Sequence, residues 1–194
     1  MRNSVIADDI VAAAVADRRI LVLADRTNQV ADLQRRVAAA LERAGRPTRL
    51  FRIDSQMGVK ARRATHAAIA EACQGAAGVC IFATGSLVGE GFDLPVLDTL
   101  VLASPISFKG RVVQYAGRLH RESEGKTDIR IHDYLDVSSP VMLKMYRKRR
   151  MQYEAMGYVI EMVPTSGRKA DSATTDMFGS SKSRIPLPMK ESSC

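Results

Sequence analysis

Cysteine is scarce in this chain: Cys73, Cys80 and Cys194 are the three among 194 residues, too few and too dispersed for a disulfide framework or a zinc site. Cys73 and Cys80 fall in apolar segments, which predicts buried reduced thiols, and Cys194 is terminal. Long apolar runs are missing as well. Although 46% of the residues are hydrophobic, no run nears the roughly 18 residues of a membrane-spanning helix. The expectation is a soluble chain with no membrane partner. The start, Met1-Arg2-Asn3-Ser4 followed by Val5-Ile6-Ala7-Asp8-Asp9, lacks the apolar core of a secretory signal, so a cytoplasmic or nucleoid location is expected. His66, His120 and His132 share no spacing, and no metal is assigned to them.

What is present is positive charge and a repeating pattern. The formal charge of +8 is compatible with nucleic acid, because each neutralised phosphate releases counterions. Residues 4–17 carry Val5, Ile6, Ile10, Val11 and Val15 between acidic positions and read as an amphipathic helix ending at Arg18-Arg19. Ile20-Leu21-Val22-Leu23-Ala24 is an uninterrupted apolar run, as in a strand buried on both faces of a parallel sheet. Thr27 is placed to cap a helix whose Val30, Leu33, Val37 and Leu41 recur at helical spacing until Gly45 and Pro47 stop it.

The β-α pattern then repeats, with strands at 50–53, 78–82, 99–103 and 129–134 and helices at 59–74, 109–121 and 139–156. Such alternation predicts an α/β fold, an open and mostly parallel sheet with helices on both faces. Arg26, Asp54, Thr84 and Pro105 fall just past strand ends, where sheets of this kind gather ligands. Within the last predicted helix, Lys144, Arg147, Lys148, Arg149 and Arg150 form a basic run: a nucleic-acid surface or a solvated face. Val159–Val163 reads as an edge strand. The domain is therefore placed at 1–163. Residues 164–194 are rich in Ser, Thr, Gly and Pro with Phe178 as their one aromatic, a composition predicting a disordered tail or linker.

The most informative stretch is Gln114-Tyr115-Ala116-Gly117-Arg118-Leu119-His120-Arg121. It sets two arginines three residues apart, one helical turn, so both guanidinium forks can face one way. That arrangement suits a polyanion such as a nucleotide γ-phosphate. Gly117 removes the side chain that would hold another surface away. Upstream lies Phe82-Ala83-Thr84-Gly85-Ser86-Leu87-Val88-Gly89-Glu90-Gly91-Phe92-Asp93-Leu94-Pro95.

The octet resembles motif VI of superfamily 2 helicases, and the upstream loop resembles motif V. Over residues 5–160 the chain is similar to the second, C-terminal RecA-like domain of the restriction-subunit-like (DEAD/DEAH-type) branch. Ile20–Arg26 looks like motif IV, Asp98–Pro105 like the strand between motifs V and VI, and Gly125-Lys126-Thr127 with Ile131–Asp136 like the usual continuation. The resemblance implies a RecA-like fold and a share in ATP-driven work on nucleic acid. It casts Arg118 and Arg121 as arginine fingers, Gln114 as a γ-phosphate sensor, and Glu90, Gly91 and Asp93 as nucleotide-facing residues of motif V. Thr84 and Gly85, and Arg26 after the first strand, would contact the phosphates of DNA or RNA, single-stranded by preference. For each, the plain alternative is a turn, a cap or a solvated charge.

The pattern is also incomplete. No G-x-x-x-x-G-K-[ST] loop occurs: Gly125-Lys126-Thr127 has His120 where the first glycine belongs. There is no D-E-x-D/H box for magnesium either. ATP and Mg²⁺ would thus be shared with a first RecA-like domain in cis or in trans, the chain being inactive without it. Two other readings stay open. One is a standalone RecA-like module that binds nucleic acid or a partner without hydrolysis. The other, a small Rossmann-like enzyme, needs a glycine-rich turn after the first strand, and Ala24-Asp25-Arg26-Thr27 offers none.

Overall fold

The computed structural model describes residues 2–46, 48–75, 77–85, 95–104, 111–121, 123, 126–136, 138–164 and 178–186. Along the chain run α1 (Arg2–Val15), β1 (Arg19–Ala24), α2 (Thr27–Arg43), β2 (Arg49–Ile53), α3 (Val59–Ala72), β3 (Val79–Thr84), β4 (Thr99–Leu102), α4 (Arg111–Leu119), β5 (Asp128–Asp136), α5 (Pro140–Ala155), β6 (Val159–Pro164) and β7 (Phe178–Pro186). They form a seven-stranded sheet in the order β2-β3-β1-β4-β5-β7-β6. The first five in sequence pair in parallel, as the alternation of strands and helices predicts.

Successive side chains of a strand point to opposite faces, and the apolar runs use both. From β1, Leu21 and Leu23 join Ile81 of β3, Leu100 and Leu102 of β4 and Ile129 and Ile131 of β5 on one face. They pack there under Ile69 of α3, Tyr115 and Leu119 of α4 and Tyr153 of α5. Ile20 and Val22 turn to the other face with Cys80, Phe82, Val101 and Tyr134, covered by Ile6 and Ile10 of α1 and Val30, Leu33 and Val37 of α2. A run with no polar position is required by a layer covered on both sides. Cys73 and Cys80 are buried free thiols, and burial raises the pKa of both.

The helix ends depart in detail from their expected form. α1 does not stop at the arginine pair. Asp17 adopts a left-handed φ of 53°, and the Arg18 amide donates to Ala13 O at 3.2 Å and the Asp17 amide to Ala14 O at 3.0 Å, a Schellman end. Gly45, at φ 62°, ends α2 in the same way as expected. Thr27 is not a cap: it is the first helical residue, Arg26 occupies the cap position, and no side chain there accepts a hydrogen bond. At α5 the Ser139 hydroxyl accepts from the Met142 amide at 3.4 Å.

The Asp17 turn delivers Arg18 to the amino ends of three strands. Its Nη1 donates to Asp128 Oδ1 at 2.5 Å and its Nε to Thr99 Oγ1 at 2.5 Å, while Nη2 reaches the carbonyls of Asp98 and Asp128. Asp98 Oδ1 adds an ion pair at 3.1 Å. Burial works to raise the Asp128 pKa, but the bond and charge of Arg18 outweigh it and the net shift is downward. Asp98 is raised, since burial prevails there over the same arginine.

Two expectations are corrected by packing. The basic run of α5 is not one solvated surface, because Arg149 is 1% exposed and turns into the domain. There Nε and Nη2 donate to the Asp133 carboxylate at 2.7 and 3.0 Å, and Tyr153 Oη donates to it at 3.2 Å. Lys144, Arg147, Lys148 and Arg150 remain outside. The tail is not structureless throughout either: residues 178–186 form β7, antiparallel to β5 on one side and to β6 on the other. A strand inserted between two others is held by backbone hydrogen bonds on both edges, and side-chain composition does not register those. Residues 165–177 and 187–194 lie outside the described residues.

Replacing Arg18 with Leu takes from Asp128 its buried cation and leaves it the partly exposed Arg130, whose Nε donates to Oδ2 at 3.1 Å; breaking a buried pair typically costs about 3–5 kcal/mol. A shift of the urea midpoint of that size at unchanged slope is expected. A loss below about 1 kcal/mol, the scale of an exposed pair, would show that backbone pairing alone holds these strand ends.

Candidate nucleotide and nucleic-acid face

At the opposite, carboxyl edge of the sheet the chain turns one way after β1, into α2, and the other way after β4, toward α4. The two helices cover opposite faces of the sheet, and this reversal between adjacent strands opens a crevice at their ends. Around it stand Asp25 and Arg26 after β1, Thr84 and Gly85 at the end of β3, and Ser104 after β4. Three of the residues expected to touch nucleic acid, Arg26, Thr84 and Gly85, are thus brought to one edge.

Their environments differ. Arg26 is exposed; its carbonyl accepts from the Gln29 and Val30 amides, each at 3.1 Å, so the first turn of α2 fixes its backbone and leaves the guanidinium outward. Thr84 is 3% exposed, and its Oγ1 has no hydrogen-bond partner among the described residues. A buried hydroxyl without a partner carries a desolvation cost of about 1–3 kcal/mol, which a ligand oxygen or a water can relieve. Gly85 is buried, its amide donating to Ala24 O at 3.2 Å. Its absent side chain is not forced by crowding, since an added Cβ would meet nothing nearer than Asp25 Oδ1 at 4.0 Å.

The edge is braced by residues to which the sequence reading assigned no role. Gln29 donates through Nε2 to Asn3 Oδ1 at 3.1 Å and to Ala103 O at 3.2 Å, and accepts from Ser104 Oγ at 2.7 Å. Ser104 Oγ in turn accepts from the Asp25 amide at 3.2 Å. Asn3 extends the chain to Asp32 at 2.9 Å. Asp32, bonded foremost by Arg36 and also by Asn3, is pulled down to about 2. Nothing in local periodicity announces these contacts, whose members lie up to 79 residues apart.

α4 is amphipathic in the sense its site role requires. Tyr115, Ala116 and Leu119 are buried against the sheet, while Gln114 and Gly117 are exposed, as is Arg121 just past the helix end. A Cβ added to Gly117 would meet nothing within 4 Å, so this face is open to an approaching body. Arg118 lies in the helix four positions after Gln114, which sets it on the same side by backbone geometry. Tyr115 links the two motifs, its buried hydroxyl donating to Gly85 O at 2.6 Å. Glu90, Gly91 and Asp93 lie outside the described residues.

ATP and Mg²⁺ can be weighed against these groups. The described residues present here the exposed Gln114 on α4, the exposed Arg121 just past its end and the Thr84 hydroxyl at the end of β3. Among the described residues no three His, Cys, Asp or Glu side chains converge as metal ligands. No helix among them is long and apolar enough to cross a membrane.

No protein-family model and no curated protein matches the chain. Among solved structures, T4 UvsW superposes on 79% of this chain with a TM-score of 0.59 at 16% identity, over 32% of its own length. The C-terminal part of the Fun30 ATPase domain covers 62% of this chain and 36% of its own at 16% identity, with a TM-score of 0.46. Mycobacterium smegmatis helicase Lhr covers 58% and 14% at 20% identity, with a TM-score of 0.47. The chain spans about a third or less of these structures, between 14% and 36% of their length. The superposition on UvsW establishes the fold as α/β and RecA-like.

The Tyr115 bond gives this face a direct test. Tyr115→Phe removes the donor from Gly85 O, and a loss of about 1–2 kcal/mol is expected in chemical denaturation, with faster amide exchange at the ends of β3 and α4 before other segments. Unchanged stability and exchange would mean that helix and strand end are held by apolar packing alone.

Proposed function

We propose that the chain is the second RecA-like half of an ATP-dependent nucleic-acid helicase or translocase, inactive until a first RecA-like domain completes its site. The observation that carries this reading is α4 and its end: Gln114 and Gly117 exposed on the helix, Arg121 exposed just past it, and Tyr115 anchoring the helix to the end of β3. In this role Arg118 and Arg121 present guanidinium forks to the γ-phosphate held by the partner, and Gln114 hydrogen-bonds beside them. Forks in a fixed orientation stabilise charge that develops on a transferring phosphoryl group without reorganising at that moment. Glu90, Gly91 and Asp93 belong, by their resemblance to motif V, between nucleotide and nucleic acid. The nucleotide itself supplies the phosphoryl group, and its magnesium is a matter for the partner's residues.

At the carboxyl edge Arg26, the Thr84 hydroxyl and the Gly85 segment take the phosphates of a single strand of DNA or RNA. These are contacts to the backbone, so they position a strand without reading its sequence. Coupling follows from the short path between the two functions: Gly85 O receives the Tyr115 hydroxyl, so a shift of α4 on engaging nucleotide is felt at the strand end that holds nucleic acid.

The lone chain is expected to show no ATPase activity above background. Joined to a first RecA-like domain, as a fusion or a second subunit, it should gain hydrolysis stimulated by nucleic acid. Arg121→Ala in that assembly should lower turnover by roughly 10³ or more with little change in nucleic-acid affinity, and Arg121→Lys should restore little because an ammonium cannot form the bidentate fork. Steady-state phosphate release decides this; near-normal turnover of the Ala variant would leave a RecA-like binding module without catalysis.

Binding by one domain alone should be weak and steep in salt, because backbone contacts act mainly through counterion release. Fluorescence anisotropy with a labelled single strand at low and moderate salt measures it. Tight, salt-insensitive binding would contradict backbone contacts as the source of affinity.

A further inference from the structure

Lys126 belongs to the Gly125-Lys126-Thr127 triplet that imitates a phosphate loop, and the fold gives it another task. Its Nζ donates to Leu119 O, to Pro95 O at 3.0 Å and to Arg121 O at 3.2 Å. Leu119 is the last residue of α4, Arg121 carries the outer fork, and Pro95 follows the loop 86–94 that resembles motif V. An ammonium has three N–H donors and no acceptor, so these three carbonyls use its full capacity. The last carbonyls of a helix lack intrahelical partners, and a cation beside them also meets the negative end of the helix dipole.

We propose that Lys126 is a positioning residue, whose ammonium caps α4 and fastens the backbone of Arg121 to the exit of the 86–94 loop. The inference rests on the reading of α4 as the nucleotide-facing helix, and deepens it. Arg121 stands two residues beyond the last residue of α4, and the bond from Lys126 to its carbonyl limits how far fraying of the last turn can shift its fork. The clamp also gives the motif V and motif VI segments a second connection besides the bond from Tyr115 to Gly85.

The charge of the clamp is adjustable. Three carbonyl acceptors favour the ammonium and burial opposes it; burial prevails, bringing Lys126 down to about 8, with Asp98 raising it and Arg18 lowering it in smaller measure. His120, the other titratable group near it, is lowered by its own burial and then by Lys126. The sign follows from linkage. The folded value lies below the unfolded 10.5, so the folded state binds fewer protons between the two values and global stability rises with pH through that window. Locally the cap loses a donor over the same range.

The test uses the full chain without nucleotide. In ¹³C-lysine NMR, the Lys126 ε-carbon should titrate near pH 8, and the amides of Leu119, His120 and Arg121 should move with the same midpoint. In Lys126→Met that transition should vanish and amide protection at the end of α4 should fall roughly tenfold, the scale of one lost bond to a charged group, while β1 and β3 keep theirs. Lys126→Arg should restore the protection without the transition, which a purely apolar role of the lysine stem would not do. Amides that ignore the lysine titration, or full protection in the Met variant, would each overturn the proposal. Should the Met variant not fold, the wild-type titration still decides. If the clamp is found while Arg121→Ala leaves turnover of the assembly normal, the cap stands and the nucleotide reading falls.

Discussion

Three parallel strands begin at one guanidinium. Arg18, set in place by the left-handed turn at Asp17, bonds to side chains or carbonyls at Asp98, Thr99 and Asp128. It thereby fixes where β1, β4 and β5 start relative to one another. Parallel strands have no hairpin to set their register, and a central layer that is apolar on both faces offers few polar contacts to set it from within. A cation held by two carboxylates at the amino edge supplies that constraint, and the alignment propagates along the strands to their other ends.

The two edges of the sheet are accordingly built on opposite principles. At the amino edge nearly every donor of Arg18 has an acceptor, so the network is saturated and structural. At the carboxyl edge the bracing is done by Gln29 and Ser104 behind the crevice, while in front Arg26 stays exposed and the Thr84 hydroxyl is buried without a partner among the described residues. An orphaned buried donor costs stability. On the reading proposed above, that hydroxyl at a strand end is a group for a ligand phosphate.

The α4 face follows the same division. Its buried side, Tyr115, Ala116 and Leu119, ties it to the core, while Gln114 and Gly117 are exposed and Arg121 is exposed just past its end. Cations displayed on a surface without a phosphate cradle do little chemistry alone. On the function proposed above, a partner domain that holds a triphosphate would make them half of a site assembled only on closure, which is how binding energy can be made to license hydrolysis.

By itself the sequence determined the layers. The uninterrupted apolar run at 20–24 and the strand read at 78–82 specify the middle of the sheet, and helical spacing at Val30, Leu33, Val37 and Leu41 specifies the helix above them. These are local patterns, set by periods of two and 3.6 residues, and they survive reading along one dimension. Only the tertiary structure decided the rest. It turned Arg149 from a supposed surface charge into the buried partner of Asp133, and drew 178–186 out of a polar tail to lie between β5 and β6. It also brought Lys126 to the carbonyls of Pro95, Leu119 and Arg121. The physical reason is common to all three. A charge or a backbone amide is satisfied by whichever partner the fold brings within about 3 Å, and such partners lie anywhere from 5 to 110 residues away along the chain; no local period encodes them.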